Sequence, residues 1–195
     1  MDEPTHEAPD QPIELYSIGH SNHSMDEFLT LLKHYGVRSL VDVRRQPHSC
    51  KFAQFDWKAL EYALLHHEIT YHWFEDLGGW RKGLGQESPN LGLKDGGLRH
   101  YADYMLSDAF HTAVGRLTGI ARIRCTAIMC AEKHFQRCHR NLLSDYLTAQ
   151  GMVVTHILDQ VQQAIHQLTQ GAEWIEGRGL LYPGHPDEQG TLFHG

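Results

Sequence analysis

The chain predicts a three-layer α/β sandwich: a mostly parallel sheet of about five strands with helices covering both faces. Two observations lead there. Short apolar runs of strand length alternate with amphipathic stretches that carry helix caps, and no internal repeat or low-complexity tract interrupts the alternation. The expected boundaries are an N-terminal tail over 1–12, a single domain over 13–170 and a C-terminal tail over 171–195.

The elements follow in order. IELYSIGH (13–20) reads as a strand ending in a Gly-His turn. Ser24, with Glu27 three positions on, is a capping-box signature ahead of the apolar period Phe28, Leu31, Leu32, Tyr35, and Gly36 closes that helix. VRSLVDV (37–43) is a second strand. Asp56 caps a helix through Leu60, Ala63 and Leu64, and ITYHWF (69–74) is the third strand. The Gly-rich text over 75–99 is too long for an ordinary connection and is expected to be a mobile or ligand-covering loop. Helical sequence around 101–105 and 110–120 leads to a fourth strand, CTAIMC (125–130). A helix containing 141–149 ends at Gly151, VVTHIL (153–158) is a fifth strand, and a short helix is expected over 161–168.

Composition narrows the classes of function. With 41% hydrophobic and 21% charged residues in 195, the sequence fits one compact domain with a sizeable core. No apolar run approaches the roughly 20 residues that cross a bilayer. The opening MDEPTHEAPDQP is acidic and Pro-rich, unlike a signal peptide, so the expected compartment is cytoplasmic, with no membrane partner. Four cysteines, Cys50, Cys125, Cys130 and Cys138, are too few and too uneven for a disulfide framework and are expected as free thiols. A net charge of -7 argues against an extended duplex-binding surface, so any basic site is local. Of the 16 histidines, His66, His67, His100, His111 and His166 lack ligand spacing and are expected to be solvated.

Parallel α/β sheets bind ligands beyond the carboxyl ends of their strands. That rule gathers Gly19-His20-Ser21-Asn22, Asp42-Val43-Arg44, Cys130-Ala131-Glu132 and His156 at one edge. AIMCAEKHFQRCHRNLL (127–143) runs from a buried strand through a dense polar turn into a helix, whose first amides and positive dipole end lower a thiol pKa or hold an anion. Arg137 and Arg140, three apart, are placed to add an anion clamp. Cys130 followed by Arg137 loosely resembles phosphatase and sulfurtransferase loops, with one residue more than the phosphatase spacing. The loop over 44–57 interleaves Arg44, Arg45 and Lys51 with Phe52, Phe55 and Trp57, which suits stacking on a base beside a phosphate, or a solvated loop over an apolar patch.

These motifs, together with Pro47, Leu77-Gly78-Gly79, Tyr101-Ala102-Asp103-Tyr104-Met105, Cys138-His139-Arg140 and His156-Ile157, resemble the domain-of-unknown-function family 488 of bacterial proteins over about residues 14–158. The resemblance implies an α/β fold and leaves the activity open. Lys133-His134-Phe135-Gln136-Arg137 departs from the family pattern, which usually carries a proline there.

Three readings follow. The first is an enzyme acting on a small anionic or nucleotide-like substrate, with Cys130 as nucleophile or redox thiol, Cys138 as its resolving partner, and His20 and Glu132 for proton transfer. In it Ser21, Asn22, Asp42, Arg44, Tyr104, His139 and Arg140 hold the substrate, and the 101–105 segment closes over it. The second is a metal site, iron or zinc, built from His20, Cys130, Cys138 and His139. The third is a non-catalytic nucleotide- or nucleic-acid-binding accessory module. Its recruitment would come through the tail residues Gln189, Leu192 and Phe193, which are similar to the peptides that dock on the replication sliding clamp.

Overall fold

The structure, a computed structural model, describes residues 11–184. The proposed docking residues Gln189, Leu192 and Phe193 lie outside the described residues, as do residues 1–10 of the N-terminal tail.

The expected α/β sandwich forms. Strands β1 (Glu14–Gly19), β2 (Ser39–Asp42), β3 (Thr70–Trp73), β4 (Thr126–Cys130), β5 (Val153–Ile157) and β6 (Gln163–Ile165) make one sheet in the order β3-β2-β4-β1-β5-β6. The first five pair in parallel and β6 antiparallel to β5. Period-two alternation sends Ile18, Leu40, Ala127 and Met129 to one face, under α1 (Met25–His34) and α2 (Trp57–Leu65). Leu15, Val41, Ile128, Cys130 and Val154 go to the other, under α3 (Gly96–Tyr104), α4 (Asp108–Ala121) and α5 (His139–Ala149).

Local chemistry sets the helix starts. Ser24 Oγ accepts from Glu27 N at 3.2 Å while Glu27 Oε2 accepts from Ser24 N at 2.7 Å, completing the capping box that opens α1. That helix then buries Phe28, Leu29, Leu31 and Leu32, each contributing roughly 1.5–3 kcal/mol of apolar burial. Asp56 caps α2 through Lys58 N.

Two expectations are corrected at the C-terminal side. No helix forms over 161–168: Asp159 Oδ1 accepts from Val161 N and Gln162 N at 2.8 Å each, which turns the chain so that β6 pairs back on β5. Nor does the domain end at 170. Strands β7 (Glu173–Ile175) and β8 (Gly179–Leu181) form a hairpin, and Leu180, Leu181 and Tyr182 are buried. Tyr182 donates its hydroxyl to Asp145 Oδ2 at 2.8 Å and its backbone N–H to Asn90 Oδ1 at 2.9 Å.

This order fixes where a site can lie. From β1 the chain crosses to β2 over one face, through α1, and from β4 it crosses to β5 over the other, through α5, so the two connections leave the central pair β1 and β4 on opposite faces. The crevice of such a sheet opens there, beyond Gly19 and Cys130.

Candidate functional site

The crevice floor is built from the ends of β1 and β4 and the start of α5. Gly19 pairs with Cys130 across the two strands, and His20 N donates to Cys130 O at 2.9 Å. A Cβ on Gly19 would lie 2.0 Å from Glu132 O, a backbone atom, and 3.0 Å from an Arg140 guanidinium nitrogen, so only glycine fits. Gly19→Ala is accordingly expected to destabilise the fold by about 3 kcal/mol, read as a shifted urea midpoint at unchanged slope; an unshifted midpoint would mean that the turn relaxes freely.

Cys138 is the N-cap of α5, with φ −121° and ψ 147°. Its sulfur, that of Cys130 and Nδ1 of His139 all lie within 4.8 Å of one another. Cys138 Sγ is 3.6 Å from His139 Nδ1, and His139 Nε2 is 2.8 Å from Val43 O. A carbonyl only accepts, so Nε2 carries the proton and Nδ1 turns its lone pair to the sulfur in the neutral ring. Gly79 packs on that ring, where a Cβ would meet Nδ1 at 2.8 Å, and the Tyr101 ring stands edge-on at 5.0 Å.

The two thiols are pushed apart. The hydrogen bond from Cys130 holds the Cys138 thiol well below the usual range against desolvation, helped by His139 and Arg140. Cys130 moves well above it, through that same bond, burial and the charge on Cys138. Both directions favour Cys138 over Cys130 as the more acidic thiol of the pair.

Two cavities meet at this floor, both bordered by Gly79, Trp80, Cys130, Ala131 and His139. One, of about 610 Å³, extends towards Asp95, His100 and Arg137. The other, of about 360 Å³, extends towards His20, Arg45 and His48. The 75–99 loop forms the rim and is tied down by a buried carboxylate. Asp103 accepts from Leu84 N at 2.9 Å, Ser88 Oγ at 2.6 Å and Asn90 Nδ2 at 2.8 Å.

Several expected site residues serve the walls instead. Arg44 commits its donors inward: its Nε is 2.9 Å from Asp42 Oδ1, and one terminal nitrogen reaches Phe55 O at 2.8 Å, while Tyr71 Oη also donates to Asp42. Arg140 is 1% exposed and donates to Ser17 Oγ at 3.0 Å and to Glu132 O. His20 is buried against Phe55, and burial with Arg44 alongside brings its pKa down to about 4. Its Nδ1 donates to Ser21 O and its Nε2 faces Arg44, so it is neutral and occupied, and it is outside the Cys130, Cys138, His139 cluster.

Glu132 lines the larger cavity, yet its carboxylate accepts from His134 N, above the three-residue 3₁₀ turn Phe135–Arg137. Ser21 and Asn22 bond each other through their side chains. Tyr104 donates to Asp76 O and lies under the Arg81 guanidinium at 3.8 Å, bracing the rim, while Tyr101 faces the cavity. The 101–105 segment is a buried wall, not a lid.

Sequence reasoning also missed a buried chain of polar groups. His166, expected to be solvated, is 4% exposed. Its Nε2 donates to Asp145 Oδ1 at 2.8 Å, and its Nδ1 accepts from His156 Nε2 at 2.9 Å. Phe135 stacks on His156 with ring centroids 3.5 Å apart, and His156 Nδ1 has no partner among the described residues. Burial, His166 and Arg140 lower the His156 pKa to about 3. No single residue signalled this network, because Asp145, His156, His166 and Tyr182 are separated in the chain and meet only in the fold.

A doubly covered, mostly parallel sheet with a paired-cysteine, histidine-backed crevice beyond its central strands defines the class: an α/β protein. The family model described as "Domain of unknown function DUF488" matches residues 24–147, and the chain belongs to that family. No curated protein and no solved structure matches the chain. No helix among the described residues is long and apolar enough to cross a membrane.

Proposed function

We propose that the crevice is the active site of a thiol enzyme acting on a small anionic or nucleotide-like substrate, with Cys138 rather than Cys130 as the nucleophile. The observation that carries this reading is the placement of Cys138: at the N-cap of an 11-residue helix, its sulfur lies 3.6 Å from His139 Nδ1, a base positioned to take the thiol proton. The helix dipole, the Cys130 thiol and Arg140 all favour its thiolate. In the reaction the Cys138 sulfur supplies the electron pair of a new bond to an electrophilic centre. Cys130, kept protonated beside it, supplies a proton to the departing group.

Alkylation with iodoacetamide, mapped by mass spectrometry, tests this. Cys138 is expected to react at pH 6 at close to its pH 8 rate, whereas free glutathione in the same tube loses roughly a hundredfold over the same interval. His139→Ala should move the Cys138 profile upward. A Cys138 profile parallel to that of glutathione would defeat the thiol reading.

A second reading is favoured by the His139 anchor. Metal-bound histidines commonly donate the other ring nitrogen to a carbonyl, as His139 does to Val43, and two sulfurs with one imidazole suit zinc or iron with a position open to the cavity. Protein purified anaerobically with one metal per chain, lost in Cys138→Ser, would support it; metal-free protein with a fast Cys138 returns the site to thiol chemistry.

A further inference from the structure

We infer that Trp80 is the stacking platform for the ring of a nucleoside monophosphate, whose phosphate end lies towards Arg137 and the start of α5. This deepens the reading above by naming its substrate class, and it rests on the same crevice.

Trp80 is 96% exposed, the most exposed large hydrophobic residue of the chain's described part, and it borders both cavities over the paired cysteines. Its backbone is nevertheless held rigidly. Gly78 lies so close to Arg45 that a Cβ would meet its Cα at 2.6 Å, and Gly79 packs on His139. Arg81 Nε donates to Gly78 O at 2.8 Å and its guanidinium sits on the Tyr104 ring. Between these fixed neighbours Trp80 takes φ +59°, left-handed backbone that a bulky residue rarely adopts. Firm bracing on both sides, a disfavoured backbone and an indole left in water together describe a surface kept for a partner ring.

The ligand class follows from the surroundings. Of the loop aromatics expected to stack on a base, Phe55 is fully buried and stacked on His20, Phe52 packs against the same core, and Trp57 lines neither cavity at the paired cysteines. Trp80 is left to meet a planar ring. Arg140 is occupied inside, whereas the exposed Arg137 guanidinium has no partner among the described residues and lines the larger cavity beside Cys138. Volumes of about 610 Å³ and about 360 Å³ match a mononucleotide, and the net charge of -7 disfavours a long polyanion.

Isothermal titration of the full chain with adenosine, guanosine, cytidine and uridine 5′-monophosphates, each alone, and with inorganic phosphate tests the inference. At least one nucleotide should bind saturably, and Trp80→Leu should weaken it by about tenfold or more. Trp80→Phe should stay within about threefold, and phosphate alone should bind both variants equally. Trp80→Leu should melt like wild type, since the side chain touches solvent. The bound nucleotide should also slow alkylation of Cys138 in wild type and not in Trp80→Leu. No saturable nucleotide binding, equal binding by Trp80→Leu, or an affinity for a single-stranded 12-mer more than about tenfold above the mononucleotide would overturn the inference. Fast Cys138 alkylation with no nucleotide binding would leave the thiol reading standing alone, whereas Trp80-dependent binding with a slow Cys138 would remove the thiol reading and keep this one.

Discussion

Acidification from about pH 6.5 to about pH 4.5 should remove about 4 kcal/mol of folding stability through two histidines alone. His20 and His156 are 2% and 1% exposed, and their folded pKa values lie at about 4 and about 3, well below the usual histidine value. The unfolded chain therefore takes up two protons as the pH falls through about 6.5, while the native state takes up almost none until about pH 4. Stability is fully present above the unfolded value and is lost below it. The causes are local: burial and Arg44 act on His20, and burial, His166 and Arg140 act on His156. Urea unfolding measured at half-unit pH steps reads the slope, and His156→Gln should roughly halve it. A flat profile over this range would show that water reaches both rings.

Arg140→Ala should cost about 3–5 kcal/mol, because it strips a buried hydrogen-bonding cation out of the junction of three elements. Its guanidinium joins β1, through Ser17, to the turn after β4, through the Glu132 carbonyl, and removal leaves the buried Ser17 hydroxyl and the part-buried carbonyl without their donor. Among the described residues no carboxylate pairs with it, and its charge instead favours the Cys138 thiolate. On the proposed thiol chemistry, Arg140 acts on the sulfur through its charge and not on the ligand. A double-mutant cycle with Cys138→Ala separates the two roles: the charge coupling should appear as non-additivity at pH 8 and shrink as Cys138 is protonated. Wild-type stability in Arg140→Ala, with anion affinity alone reduced, would return this arginine to direct ligand binding.

How far the sequence predicted all this depends on whether the signal was local. The capping box at Ser24 and Glu27, the Asp56 cap, and the apolar runs of the five parallel strands are spelled in consecutive residues, and each appears within a residue or two of its expected place. The convergence of Gly19, Val43 and Cys130 was readable from the rule that ligands bind beyond the carboxyl ends of parallel strands, which needs only element order; the strand order, which sets the switch point, was not readable. What escaped was decided by tertiary partners. Val161, Ile165 and Leu168 have helical spacing, yet Asp159 and the open edge of β5 turn that segment into a strand. The direction in which an arginine points is not written in its neighbours, so Arg44 and Arg140 read as anion ligands until Asp42, Phe55, Ser17 and Glu132 were seen to occupy them.

The hydrogen bond from Tyr182 to Asp145 spans 37 residues and has a consequence for the protein during its synthesis. At about 5–20 residues per second, a nascent chain exposes Asp145 about 2–7 s before Tyr182 is added. Over that interval helix α5, which carries Cys138 and His139, has one carboxylate oxygen still facing water instead of a phenol. Final seating of the helix under the thiol pair therefore waits for the β7–β8 hairpin to arrive. A chain truncated after residue 170 and released should have its parallel sheet formed and a Cys138 that still reacts as an ordinary thiol.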